Sequence, residues 1–149
     1  MSLVLQSLHR LVLGTWLGSW ILFGFVVAPT AFRVLPGSNV AGQLVGPILD
    51  TLHLSGIGAG LVLALLAAIG RQGWFRVALP LLLAAICAAS QFGVTASIDS
   101  IRPEAFGANA NAEAAARFSQ LHQLSRTLYG LTGVGLILLT LLPERRSSS

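Results

Sequence analysis

The chain has 149 residues, 54% of them hydrophobic and only 9% charged, with a net charge of +4 and a pI near 11. An average soluble domain carries roughly 25% charged residues, so this chain lacks the polar shell that a water-facing surface needs. Its nine basic residues are all arginines, set at the ends of apolar stretches with no run longer than Arg145-Arg146, and this dispersal excludes nucleic acid as a partner.

The first apolar run, Leu11 to Ala28, spans 18 residues, longer than the roughly 7–15 of a signal-peptide core. A cut after Ala28 would also leave Pro29 beside it. The run therefore reads as a retained first span over 9–28, stopping at Pro29. A second span is expected over 47–70, with Pro47 in its first turn, where a missing N–H costs nothing. The third covers 74–97, with Pro80 as a kink or as the point where an interfacial approach becomes the true span. The fourth covers 118–142 and stops before Pro143. Asn111 and Glu113 read as an N-cap and an acidic first turn, which lets this last helix begin near 112, outside the bilayer. The fold class is all-α: a single integral-membrane four-helix bundle.

Residues 71–73 form a short turn, making the second and third spans antiparallel neighbours. The longer connections, 29–46 and 97–117, carry Gly37, Ser38, Asn39, Pro103, Asn109 and Asn111, all turn chemistry. No internal repeat is evident, and the tail 144–149 reads as a short disordered end. Five arginines (Arg10, Arg71, Arg76, Arg145, Arg146) fall on the side of the termini and three (Arg33, Arg102, Arg117) on the other. The positive-inside rule then puts both termini in the cytoplasm.

Gly14 with Gly18, and Gly56 with Gly60, have the spacing that puts two glycines on one helix face and lets backbones approach closely. Helix packing is the expected use, and homodimerisation the other. Ala84, Ala85, Ala88 and Ala89 serve packing in the third span. Trp74 suits an interfacial belt, whereas Trp16 and Trp20 lie deeper and each needs a partner for its indole N–H. The lone Cys87 forms no internal disulfide and reads as a small buried hydrophobe.

Two patches carry a resemblance. His9-Arg10, Trp16-Leu17-Gly18, Phe23-Gly24-Phe25-Val26-Val27-Ala28-Pro29 and Phe32 form one. The other is Arg117-Phe118-Ser119-Gln120-Leu121-His122-Gln123-Leu124-Ser125. Together they resemble a bacterial four-span membrane family of unknown function related to transmembrane protein 205, with a weaker likeness to the copper-resistance D domain. The resemblance implies a four-helix membrane domain of the bacterial inner membrane and brings no activity with it.

Ionisable groups within spans are costly and so mark candidate sites. Ser119, His122, Arg126 and Tyr129 form one stripe on the fourth helix, with Ser125 beside them. Asp50 and His53 share a face of the second helix, and Gln91, Thr95 and Asp99 share one on the third. Their depths agree, in the outer third of the bilayer. The candidate cluster is thus Asp50, His53, Gln91, His122, Ser125, Arg126 and Tyr129. Three uses compete. The first is structural, with Arg126 paired to a carboxylate, Asp50 in preference to Asp99. The second is a haem or metal site with His53 and His122 as ligands. The third is a path for a small molecule, ion or proton.

No zinc, nucleophile-elbow, dithiol or phosphate-loop motif is present, and Ser125 with His122 on one helix is poorly disposed for nucleophilic catalysis. The expectation is a non-enzymatic membrane protein without a cofactor, either an accessory subunit of a membrane complex or a self-associating bundle. The alternative is a transporter-like or redox protein that uses the outer cluster.

Overall fold

Pro29 does not end the first helix. In the computed structural model, which describes residues 3–107 and 110–142, four helices run nearly end to end. They are α1 (Leu3–Val34), α2 (Ser38–Ile69), α3 (Trp74–Phe106) and α4 (Ala112–Leu141), each long and apolar enough to cross a membrane. Among the described residues there is no strand. Arg145, Arg146, Asn109 and the tail 144–149 lie outside the described residues.

The helices overrun the spans expected from hydropathy because prolines are absorbed rather than obeyed. Proline removes one backbone donor, and its ring crowds the carbonyl four residues earlier. Ahead of Pro29, Phe23–Val27 widens into a π-helical turn, and the Ala28 N–H reaches back five residues to the Phe23 carbonyl. The wider turn gives the ring room, and α1 continues to Val34. Pro47 lies inside α2 rather than at its start, and Pro103 lies inside α3. The long loops expected over 29–46 and 97–117 are therefore mostly helix.

The real connections are short. Pro36 drives Leu35 into the extended region (φ −83°, ψ 147°), and Gly37 takes φ 110°, which only glycine adopts without strain. Residues 70–73 turn α2 into α3, with Gly73 at φ 97°. Asn111 caps α4, its side-chain oxygen accepting the Ala114 N–H at 2.8 Å. At 32 residues, α1 and α2 are each roughly 48 Å long against a ~30 Å hydrocarbon core. They must tilt or project into the headgroups.

Two of the glycines decide how closely the helices meet. A Cβ on Gly60 would sit 2.7 Å from the Pro80 carbonyl oxygen and 2.8 Å from the Ala84 Cβ, and one on Gly56 would sit 3.0 Å from both Trp16 Nε1 and Cys87 Sγ. This face of α2 is pressed against α3 and α1. Gly14 and Gly18 differ, because both are exposed and no neighbour lies within 4 Å of the Cβ either would carry.

The core holds the buried Leu63, Leu83 and Leu136. At the end that holds the termini, the buried Arg76 donates to Gln72 Oε1 at 3.0 Å and to the Leu142 carbonyl, tying the start of α3 to the end of α4. Large side chains such as Leu11, Phe25, Leu65, Phe75, Phe92 and Leu141 point outward. Exposure on that scale fits lipid and not water.

Gly60→Ala should therefore lower stability by roughly 1–3 kcal/mol through overpacking. Gly14→Ala should leave it unchanged or raise it by up to about 1 kcal/mol through helix propensity. Thermal unfolding of the two variants in detergent checks this.

Candidate functional site

The polar residues gather in the half of the bundle remote from the termini, and they form two assemblies. The first is built on α2 and on the second π-helical turn, Ser90–Thr95 of α3. Asp50 and His53 lie one turn apart on α2. The π-turn adds a residue to its helical turn, and it carries Ser90 and Val94 into the core with Gln91 half-buried beside them. The Gln91 side chain interacts with both Asp50 and His53. His53 is only 1% exposed, and its ring centroid lies 5.9 Å from that of Trp20. One atom of each group, namely Asp50 Oδ1, His53 Nδ1 and Gln91 Oε1, is buried without a hydrogen-bond partner.

The second assembly lies between α1 and α4. Trp20 Nε1 donates to the Tyr129 carbonyl at 3.0 Å, and the Tyr129 hydroxyl donates to the Trp20 carbonyl. The rings stack 4.3 Å apart at 10°, and Gly24 gives the Tyr129 ring its room, since a Cβ there would lie 3.0 Å from it. Trp20 thus finds the partner its indole needs. Trp16 Nε1, beside Gly56 and Cys87, does not find one.

The α4 stripe does not turn inward. Ser125 is buried at 7% exposure, while His122 and Arg126 are exposed. They form one wall of a groove of about 450 Å³, shared with Ser125 and Tyr129 and closed opposite by apolar residues such as Phe23, Phe32, Val45 and Leu49. A second groove of about 350 Å³ shares His122 and Ser125 and adds Asn39, Asp99, Arg102 and Phe118.

The expected pairing of Arg126 with Asp50 or Asp99 is corrected here. Among the described residues no ion pair joins Arg126 to either. Asp50 is engaged by Gln91, and Asp99 approaches Arg102 three residues along its own helix at 4.0 Å. A local i,i+3 pair needs no tertiary coincidence. Arg102 also reaches Asn39 Oδ1 at 3.4 Å and lies 5.6 Å above the Phe118 ring, on which His122 stacks at 6.2 Å. The charges of Arg126 and Arg102 both act on His122.

Sequence reasoning passed over Arg102, Asn39 and Trp20 as site members. The spacing of Asp99 and Arg102 was the available signal for the first. His122 lines both grooves, whereas His53 lines neither. Among the described residues no three His, Cys, Asp or Glu side chains gather as a metal site would require.

Four apolar helices around a half-buried polar centre define a multi-pass membrane protein. The model of the family described as a domain of unknown function (DUF4149) matches residues 11–106, well over half of the chain. The chain belongs to that family. The matched region contains Trp20, Asp50, His53 and Gln91 and ends before α4. The match carries no link to transmembrane protein 205 or to the copper-resistance D domain. No curated protein and no solved structure matches the chain.

Since Gln91 acts electrostatically on His53, Gln91→Ala and His53→Ala should be non-additive, with a coupling of about 0.5–3 kcal/mol. Arg126→Ala and Asp50→Ala should add to within about 0.5 kcal/mol. Double-mutant cycles of unfolding in detergent measure both.

Proposed function

We propose that the protein is a non-enzymatic, transporter-like membrane protein whose working centre is the Asp50–Gln91–His53 cluster, and that this centre takes up a proton. The observation that carries the reading is the set of three buried atoms left without partners, one on each residue. A cluster that merely tied helices together would satisfy its polar atoms, because an unmade hydrogen bond in apolar surroundings costs about 1–3 kcal/mol. Carboxylate and imidazole exchange protons, and an amide can donate to one and accept from the other. None of the three residues lines either groove, so the cluster suits a proton or a single water rather than a solute. A proton arriving at Asp50 Oδ1 turns a half-buried anion into a neutral acid that can itself donate. Leu63, Leu83 and Leu136 are buried in the core, so conduction across the bundle requires packed side chains such as these to move.

The same reading assigns the chain to a bacterial inner membrane with both termini in the cytoplasm, following the arginine bias. The likeness to the family related to transmembrane protein 205 belongs with it, and neither haem nor metal takes part. Lipid vesicles holding purified protein, a pH-sensitive dye and a potassium diffusion potential test it. Wild-type vesicles should acidify faster than protein-free ones, and Asp50→Asn should return the rate to the protein-free level. A wild-type rate equal to that of empty vesicles removes the reading.

A second reading is favoured by the uncovered Gly14–Gly18 face: self-association, either as a homodimer or as an accessory subunit. Gly14→Cys in a Cys87→Ala background should yield a covalent dimer under mild oxidation in the membrane. Gly130→Cys, also in open space but on α4, should not.

A further inference from the structure

The groove between α1 and α4 is separate from the proton centre and contains a feature that centre does not use. Its lining is apolar on the α1 and α2 side and carries His122 and Arg126 on the α4 side, with no acidic residue among the residues that form it. Arg126 is exposed and has no carboxylate partner among the described residues. Arg102 stands across His122 in the adjoining groove, its charge partly offset by Asp99 at 4.0 Å.

Depth adds to this. Helix α4 ends at Leu141, 15 residues after Arg126, a rise of roughly 23 Å against a ~30 Å hydrocarbon core. The Arg126 Cα therefore lies several ångströms below the headgroups, and a snorkelling guanidinium reaches their level. An apolar slot in the acyl region with an unneutralised cation at its headgroup end complements a molecule with a hydrocarbon tail and an anionic head.

We propose that this groove is a specific site for an anionic phospholipid. Its phosphate is held by Arg126 and His122, with Arg102 adding long-range charge, and one acyl chain lies along Phe23, Phe32, Val45 and Leu49. Ser125 and the Tyr129 ring form the floor. Guanidinium matches phosphate through two parallel N–H donors, and zwitterionic lipid offers the same phosphate with its charge cancelled. A lipid headgroup in the groove also covers the exposed ring of His122, which stacks on Phe118.

Brominated lipids report occupancy directly, because Trp20 stacks on Tyr129 at the groove floor. The protein, carrying Trp16→Phe and Trp74→Phe so that Trp20 is the one indole left, is placed in bilayers of increasing brominated phosphatidylglycerol or brominated phosphatidylcholine with identical chains. Half-maximal quenching of tryptophan fluorescence should need on the order of five-fold less phosphatidylglycerol, the factor given by one Arg near an anionic surface. Arg126→Gln should abolish the preference. Arg117→Gln, an exposed arginine that lines neither groove, should retain it, as should added inorganic phosphate. Equal quenching by the two lipids in the wild-type background overturns the proposal, as does a preference that survives Arg126→Gln combined with His122→Gln. Loss of the preference on adding inorganic phosphate would make a free anion the ligand and overturn it likewise. Since the readout is lipid preference and not proton flux, its failure leaves the Asp50 centre standing, and the reverse holds too.

Discussion

Hydrocarbon offers no hydrogen bonds, so every polar group carried into it must be answered by the protein itself. This one constraint organises the molecule. It makes the spans helical, it extends those helices past prolines that would end a helix in water, and it explains why the widest departures from regular α-helix lie beside prolines or polar side chains. At Phe23–Val27 the π-turn makes room for Pro29 within a continuous helix. At Ser90–Thr95 no proline is present, and the turn instead presents Gln91 toward Asp50 and His53. The first π-turn solves a steric problem, whereas the second sets up a polar one.

The same constraint separates the satisfied polar groups from the unsatisfied. Trp20 and Tyr129 answer each other twice, through each other's carbonyls, and stack as well. Arg76 is closed off by Gln72 and the Leu142 carbonyl. Against these completed arrangements stand the buried atoms left without a partner, Trp16 Nε1 by itself and those of Asp50, Gln91 and His53 gathered in one cluster. Packing reinforces the contrast: the Gly60 contact with Pro80 and Ala84 leaves no slack, so the helices carrying the cluster are fixed relative to each other while the α1–α4 side stays grooved.

The two assemblies need not act in isolation. Trp20 borders His53 on one side and Tyr129 on the other, and Tyr129 lines the groove that carries Arg126. A molecule seated in the groove would press on the stacked pair, and through it on the wall of the Asp50–Gln91–His53 cluster. Coupling by contact of this kind uses side chains already packed together and needs no large helix movement.

The sequence by itself determined the membrane, the helical class and the number of spans, because composition removes the polar shell and the order of residues sets where apolar runs are long enough to cross hydrocarbon. It also determined which residues would be costly in lipid, and hence the candidates Asp50, His53, Gln91, His122, Ser125, Arg126 and Tyr129. The helix ends at Asn111, at Leu141 and around the turn before Trp74 were legible from caps and turn residues, but those assigned to Pro29 and Pro47 escaped the sequence reading, since the penalty for a proline depends on whether the backbone can widen or shift, and that is a property of the packed chain. Partners escaped it too. Periodicity puts His122 and Arg126 on one face of α4, but only the position of α1 and α2 decides that this face lines an open groove while Ser125 takes the buried place. Asp99 could be matched with Arg102 from three-residue spacing, because local geometry is the same in any helix. Joining Gln91 to Asp50 and His53, and Trp20 to Tyr129 across 109 residues, required the tertiary structure, because such contacts follow from how whole helices cross and from nothing written in either segment.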